Sequence, residues 1–177
     1  LWISWRVVAL FFRPCQMPSR NFETSSKIKI LSVALRIGGK GSVVDNLNYG
    51  GFIVKCSING YLADYAVNKK GEKVHLVNDI DLKRTHQIPF FSKCLDKAVI
   101  IASRNIHHRL LGLDIAIDKQ NEIRIIEINN GHIGTDLPHL VGLPLFGKYT
   151  DEVIAYCKKN INKLNSEYVL RLKEIGG

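Results

Sequence analysis

With 177 residues, 46% of them hydrophobic and 23% charged, the chain is long enough to bury a core and too apolar for a disordered segment. Its net charge of +9 comes from Lys and Arg scattered along the sequence with few aromatics among them. That pattern describes a diffusely basic surface that attracts anions such as nucleotides, and it is a poor nucleic-acid footprint. The four cysteines, Cys15, Cys56, Cys94 and Cys157, form no CxxC pair, so no zinc or dithiol redox motif is present; they fit reduced thiols in a cytoplasmic protein.

The chain opens on LWISWRVVALFF, an apolar run interrupted by Arg6. It is too short to span a bilayer, and it lacks the basic flank and small-residue cleavage site of a signal peptide. Because the chain begins at Leu1 rather than Met, the expectation is a fragment or trimmed product, with residues 1–25 a remnant or linker of a missing N-terminal part. RPCQMPSRNFETSS (13–26) reads as that linker. Residues 26–177 are expected to form one domain.

KIKILSVALRI (27–37) alternates like a strand, and GGKGSVVDNLNYGG (38–51) is a glycine-rich loop needing unusual backbone freedom. FIVKCSI (52–58) and YLADYAV (61–67) flank Asn59-Gly60, a strong hairpin signal. NKKGE is a second turn, KVHLV (73–77) a third strand and NDIDLKRTHQIP (78–89) a loop. Residues 90–109 show helical spacing, with Leu95, Ala98, Val99 and Ala102 on one side and Ser92 as the N-cap. Residues 131–149 are a Gly- and Pro-punctuated loop, and Thr150 caps a final helix from Asp151 to about Lys173. The order of elements predicts an α+β fold, an antiparallel sheet with flanking helices.

The most informative segment is LLGLDIAIDKQNEIRIIEINNG (110–131), two alternating strands joined by the polar loop Lys119–Glu122. If that loop closes symmetrically, Ile123 faces Asp118, Asp114 lies across from Glu127, and Gly112 from Asn129. Leu113 with Ile128 and Ile115 with Ile126 then form a core face. Opposed carboxylates with Cβ atoms about 5 Å apart repel, so something positive belongs between them. Two carboxylates and an amide suit Mg²⁺ or Mn²⁺, and the glycine opposite Asn129 leaves room for a ligand. The plainer alternative is one carboxylate held in a salt bridge.

LRIG, GSVVDNLNYGG, GLDIAI and IIEINN, in this order, resemble the C-terminal half of the ATP-grasp fold, over about Ser26 to Lys159. The likeness is nearest to the sugar-transfer associated group, akin to the α-L-glutamate ligases. The resemblance implies ATP-dependent joining of a small-molecule carboxylate to an amine through an acyl phosphate, with ATP and Mg²⁺ (or Mn²⁺) as cofactors and a link to polysaccharide or cell-envelope biosynthesis. It assigns the metal to Asp114, Glu127 and Asn129, a catalytic and phosphate-binding role to Arg36, and cofactor binding to Asp45, Asn46, Gly50 and Gly51. No nucleic-acid or membrane partner is implied, and the oligomeric state stays open. Two departures from the family concern the acceptor side: Phe90 replaces a tryptophan, and a His-Pro pair is His75-Leu76 here. Two alternatives stand beside this reading. One is a truncated, non-catalytic remnant acting as a binding module. The other is a metal-dependent nuclease, which would want a lysine where Asn129 stands.

Overall fold

Apolar residues at every second position of Lys29–Ile37 put Val33, Leu35 and Ile37 on one side of a strand and Ser32, Ala34 and Arg36 on the other. A computed structural model describes residues 6–12, 28–42, 46–105, 108–131, 133 and 136–159, with only the backbone for 6–12. The chain is α+β, and these residues fall into two compact units, one running to Leu145 and one beginning at Phe146.

The first unit is built on a seven-stranded, wholly antiparallel sheet. In chain order the strands are β1 (Arg6–Phe12), β2 (Lys29–Ile37), β3 (Phe52–Cys56), β4 (Leu62–Asn68), β5 (Lys73–Val74), β8 (Leu110–Ile117) and β9 (Ile123–Asn129). Their order across the sheet is β5-β4-β3-β2-β1-β8-β9. The two-residue strands β6 (Leu76–Val77) and β7 (Ile80–Asp81) pair separately. Helix α1 is Phe91–Arg104 and α2 is Asp136–Leu140.

Residues 6–12 do not stand apart with a leading segment: β1 is an interior strand, with Ala9 opposite both Val33 of β2 and Leu113 of β8. An extended run such as RVVALFF has its backbone groups satisfied when it is laid between two strands. At the other end, residues from Phe146 onward cluster by themselves. There Gly147–Tyr149 forms a 3-10 turn and 150–159 is helical, with the Thr150 hydroxyl donating to the Gly147 carbonyl at 2.7 Å. The remainder of the expected final helix lies outside the described residues.

The larger core lies between one sheet face and α1. Val33, Leu35, Ile37, Val54, Cys56, Ala66, Leu111, Leu113 and Ile115 pack there with Phe91, Cys94, Ala98 and Ala102 of the helix. The helix starts one residue earlier than its expected cap. Phe90, at φ 53°, is the N-cap and makes no side-chain cap bond, while Ser92 lies inside the first turn. The opposite face carries a smaller cluster of Ala34, Ile53, Val67 and Val141, with Leu47, Leu137 and Leu140 packed against it. α2 therefore covers part of a face that would otherwise be open, within a stretch whose glycines and prolines read as loop. Asn59-Gly60 makes the β3–β4 turn as expected, with Gly60 N donating to Ser57 O at 2.9 Å.

Candidate functional site

β8 and β9 pair with Gly112 opposite Asn129, Leu113 opposite Ile128 and Asp114 opposite Glu127. Opposed residues share a face, so both carboxylates and the Asn129 amide stand on the side away from α1. The Asp114–Glu127 opposition agrees with the sequence expectation, but the chain reaches it by another route. Asp118 N donates to Glu122 O at 2.9 Å, and Ile123 lies opposite Ile117, not Asp118. The loop is thus one residue longer at its start than the symmetric closure. A bulge between Asp114 and Ile115, with Ile126 as the extra residue of β9, restores the register before Glu127.

Asp118 holds this loop. Its Oδ1 accepts from Gln120 N at 3.0 Å and Glu122 N at 2.8 Å, and its Oδ2 accepts from Arg124 Nε at 2.8 Å. The Arg124 hydrogen bond, then the backbone donors, hold the Asp118 carboxyl below the usual carboxylate range. The bulge also changes which isoleucines serve the core. Ile123 and Ile125 pack on the α1 side, whereas Ile126 and Ile128 remain 47% and 43% exposed. The expected core pairing of Ile115 with Ile126 is therefore corrected to Ile115 with Ile125.

Asp114 is 5% exposed, and its Oδ2 lies 3.3 Å from Arg36 Nη1. Arg36 and Asp114 sit on β2 and β8 with β1 between them, a span of roughly 10 Å between strand axes that only a long side chain crosses. The small residues Ala34 and Ala116 occupy the neighbouring register positions. A nearly buried carboxylate costs several kcal/mol of desolvation unless a charge offsets it, and Arg36 is that charge. It also relieves the repulsion between Asp114 and Glu127, which is exposed; Asn129 is half-buried.

The glycine-rich loop lies on the same face. Leu47 packs against the cluster that contains Ala34 and Ile53, and Ile53 is the register partner of Arg36. Asn46 organises the loop: its Oδ1 accepts from Asn48 N at 2.9 Å, and its carbonyl accepts from Tyr49 N at 3.0 Å and Gly51 N at 3.2 Å. With Oδ1 committed to this turn, any donation by the side chain to an outside group comes from Nδ2. Gly50, at φ 78°, ends the short 3-10 turn Leu47–Tyr49 in the left-handed region that glycine favours. Gly39 fits beneath it: a Cβ there would meet the Gly50 carbonyl oxygen at 2.7 Å.

Arg36, Asp114, Glu127 and Asn129 are thus brought to one face, joined there by the loop carrying Asn46, Gly50 and Gly51. Asp45 lies outside the described residues. The donor set fits a hard divalent cation, since Asp114, Glu127 and Asn129 all offer oxygen. Among the described residues no group of three or more His, Cys, Asp or Glu side chains could hold a metal, so this site relies on two carboxylates and an amide.

Asn78 is a further residue that meets the glycine-rich loop. It sits at the tip between β6 and β7, where Asn78 and Asp79 have φ of 49° and 69°. Its Nδ2 donates to the Gly38 carbonyl at 2.7 Å. The turn itself was legible: two residues tolerant of positive φ, Asn-Asp, stand between the short strands Leu76–Val77 and Ile80–Asp81.

A comparison with protein families matches residues 21–146 to the family described as sugar-transfer associated ATP-grasp. The match covers β2 to β9 and α1 and begins after β1. Comparison with curated proteins and with solved structures gave no match.

Proposed function

Because the chain belongs to the sugar-transfer associated ATP-grasp family, we propose that its β2–β8–β9 face is the phosphate- and metal-handling side of an ATP-dependent carboxylate–amine ligase. Family membership carries an ATP-dependent, ligase-like function at the coarse level. One observation supports the finer reading: Asp114 and Glu127 are opposed on a single face, with Asn129 two residues on and the Arg36 guanidinium 3.3 Å from Asp114.

Asp114, Glu127 and Asn129 would hold Mg²⁺, which when bound neutralises charge on the ATP phosphates. Arg36 does two jobs in this scheme. It sets a positive charge beside the nearly buried Asp114 carboxylate, and it presents positive charge where a phosphoryl group is transferred. Asn46 Nδ2 and the Gly50 backbone would offer neutral donors to the phosphates, whereas the Gly51 N–H is already given to the Asn46 carbonyl at 3.2 Å. A carboxylate oxygen of the substrate attacks the γ-phosphorus of ATP and ADP leaves. The amine then displaces phosphate from the acyl phosphate to give an amide. Small-molecule carboxylate and amine substrates, a cytoplasmic setting and a place in polysaccharide or cell-envelope biosynthesis complete the proposal. Among the described residues no helix is long and apolar enough to cross a membrane.

Thermal denaturation with Mg-ATP, Mg²⁺ alone and duplex DNA tests this. Mg-ATP is expected to raise the midpoint, and a ligand at 100 times its Kd adds about 2.7 kcal/mol. Glu127→Ala should abolish that rise without lowering the midpoint of the ligand-free protein, because Glu127 is exposed. An equal rise in wild type and variant removes the metal assignment. A response to DNA alone favours nuclease chemistry.

A further inference from the structure

We infer that Asn78 is a positioning residue for phosphate recognition, acting through the Gly38–Gly39 peptide; this rests on the nucleotide reading above. Gly38 follows directly on β2, two residues after Arg36. Its carbonyl accepts from Asn78 Nδ2 at 2.7 Å, in a partly buried hydrogen bond that spans 40 residues of sequence. The chain contains no cis peptide among the described residues. In a planar trans peptide the C=O and the following N–H point in opposite directions. Drawing the Gly38 carbonyl toward the β6–β7 tip therefore turns the Gly39 N–H away from that tip.

Gly39 also packs closely on the Gly50 backbone. Gly39 lies so close to Gly50 that a Cβ would stand 2.7 Å from the Gly50 oxygen. Gly38-Gly39 and Gly50 thus pack together as one unit close in sequence to Arg36. Asn78 is the side chain that ties this unit to the β6–β7 hairpin. An exposed ion pair, Lys40 Nζ to Asp79 Oδ2 at 3.7 Å, adds little at such exposure. Asn suits the position twice over: it tolerates the φ of 49°, and its amide supplies the donor. An aspartate there would tolerate the turn and present only acceptors to the carbonyl.

These properties define the experiment. Asn78→Gly keeps the turn, because glycine adopts positive φ without steric strain, and removes the tether. Asn78→Asp keeps side-chain size and turn preference and removes the donor. The full chain, wild type and both variants, is titrated with Mg-ATP and with adenosine, while unfolding midpoints and amide hydrogen exchange over residues 38–42 are recorded. Both variants should bind Mg-ATP roughly five- to tenfold more weakly, the scale of one neutral hydrogen bond. Adenosine affinity should hold, the midpoint of Asn78→Gly should fall by no more than the loss of one hydrogen bond allows, and exchange over 38–42 should accelerate. Unchanged Mg-ATP affinity in the variants overturns the inference, as does an equal loss for adenosine, which would mark general loosening. Unchanged exchange over 38–42 overturns it as well. Should the wild-type chain bind no Mg-ATP, the nucleotide reading itself fails, and that result is distinct from a wild type that binds and a variant that binds equally.

Discussion

The two faces of the central sheet are made by the same strands and answer to different physics. On the α1 side, Leu35, Leu113, Ile115 and Val54 are fully buried and make no demand beyond fit. On the other side the register positions between them hold Ser32, Ala34, Arg36, Gly112 and Asp114, and burial is achieved with a charge pair. Apolar packing is tolerant of neighbours and strict about volume. A buried ion pair is the reverse: its worth depends wholly on the partner staying in place. The first face supplies stability, and the second holds charges that stability alone would not select.

Removing volume from the first face should have the largest effect. Leu113→Ala is expected to cost about 2–5 kcal/mol by urea denaturation, with Mg-ATP affinity of the surviving folded protein unchanged. A cost under about 1 kcal/mol, the range of a volume-conserving swap, would show that the helix-covered face is not the dominant core.

Breaking the charge pair is the next largest. Arg36→Met should destabilise by about 3 kcal/mol near neutral pH, because Asp114 stays nearly buried and loses the guanidinium 3.3 Å from its carboxylate. Adding Asp114→Asn to that variant should recover most of the loss, as removing both charges removes the penalty. A double variant no more stable than Arg36→Met would show that the two side chains are not coupled. The same double variant should fail to respond to Mg-ATP, which separates the stabilising role of the face from its chemical one.

A third effect is pH-dependent and belongs to the packed face. Burial pushes the Cys56 thiol from its ordinary 9.0 up to about 12. The unfolded chain ionises at the lower value while the folded chain keeps its proton. Stability should thus hold below about pH 9 and fall as pH rises toward 12. Cys56→Ala, which has no proton to lose, should show a flatter alkaline limb in denaturant midpoints. Equal limbs would place the thiol in contact with water.

The smallest effect lies at the β8–β9 loop, away from both faces. Asp118 has its carboxyl lowered by Arg124 and by the Glu122 and Gln120 amides. Its contribution is present above the ordinary carboxylate value and lost as pH falls through the lowered one. Asp118→Asn should therefore be slightly less stable than wild type at neutral pH, with the difference closing in acid.

Much of this was legible in the sequence where periodicity speaks directly. The alternation in 110–117 and 123–129 gave both strands and the facing of Asp114 and Glu127, and Asn59-Gly60 gave a turn. What failed was what depends on distant partners. RVVALFF has the composition of a strand, but nothing local says that β2 and β8 leave a place for it. The bulge at Ile126 was invisible because a symmetric loop and a longer loop with a bulge give the same pairing at Glu127. Ser92 is a good cap by type and was displaced by Phe90, whose positive φ no local rule favours. The fixed loop bond from Asn78 was missed because a side chain reaching across 40 residues leaves no local trace.

The bulge has one more implication, for how this protein tolerates insertions and deletions. Losing a single residue from the β8–β9 loop can be absorbed by flattening the bulge, which returns the hairpin to a symmetric closure. The acids would still meet, and Ile123 and Ile125 would be turned out of the interior. Variation in that loop is therefore policed by greasy side chains at the hairpin's far end, while the chemistry near its base is spared.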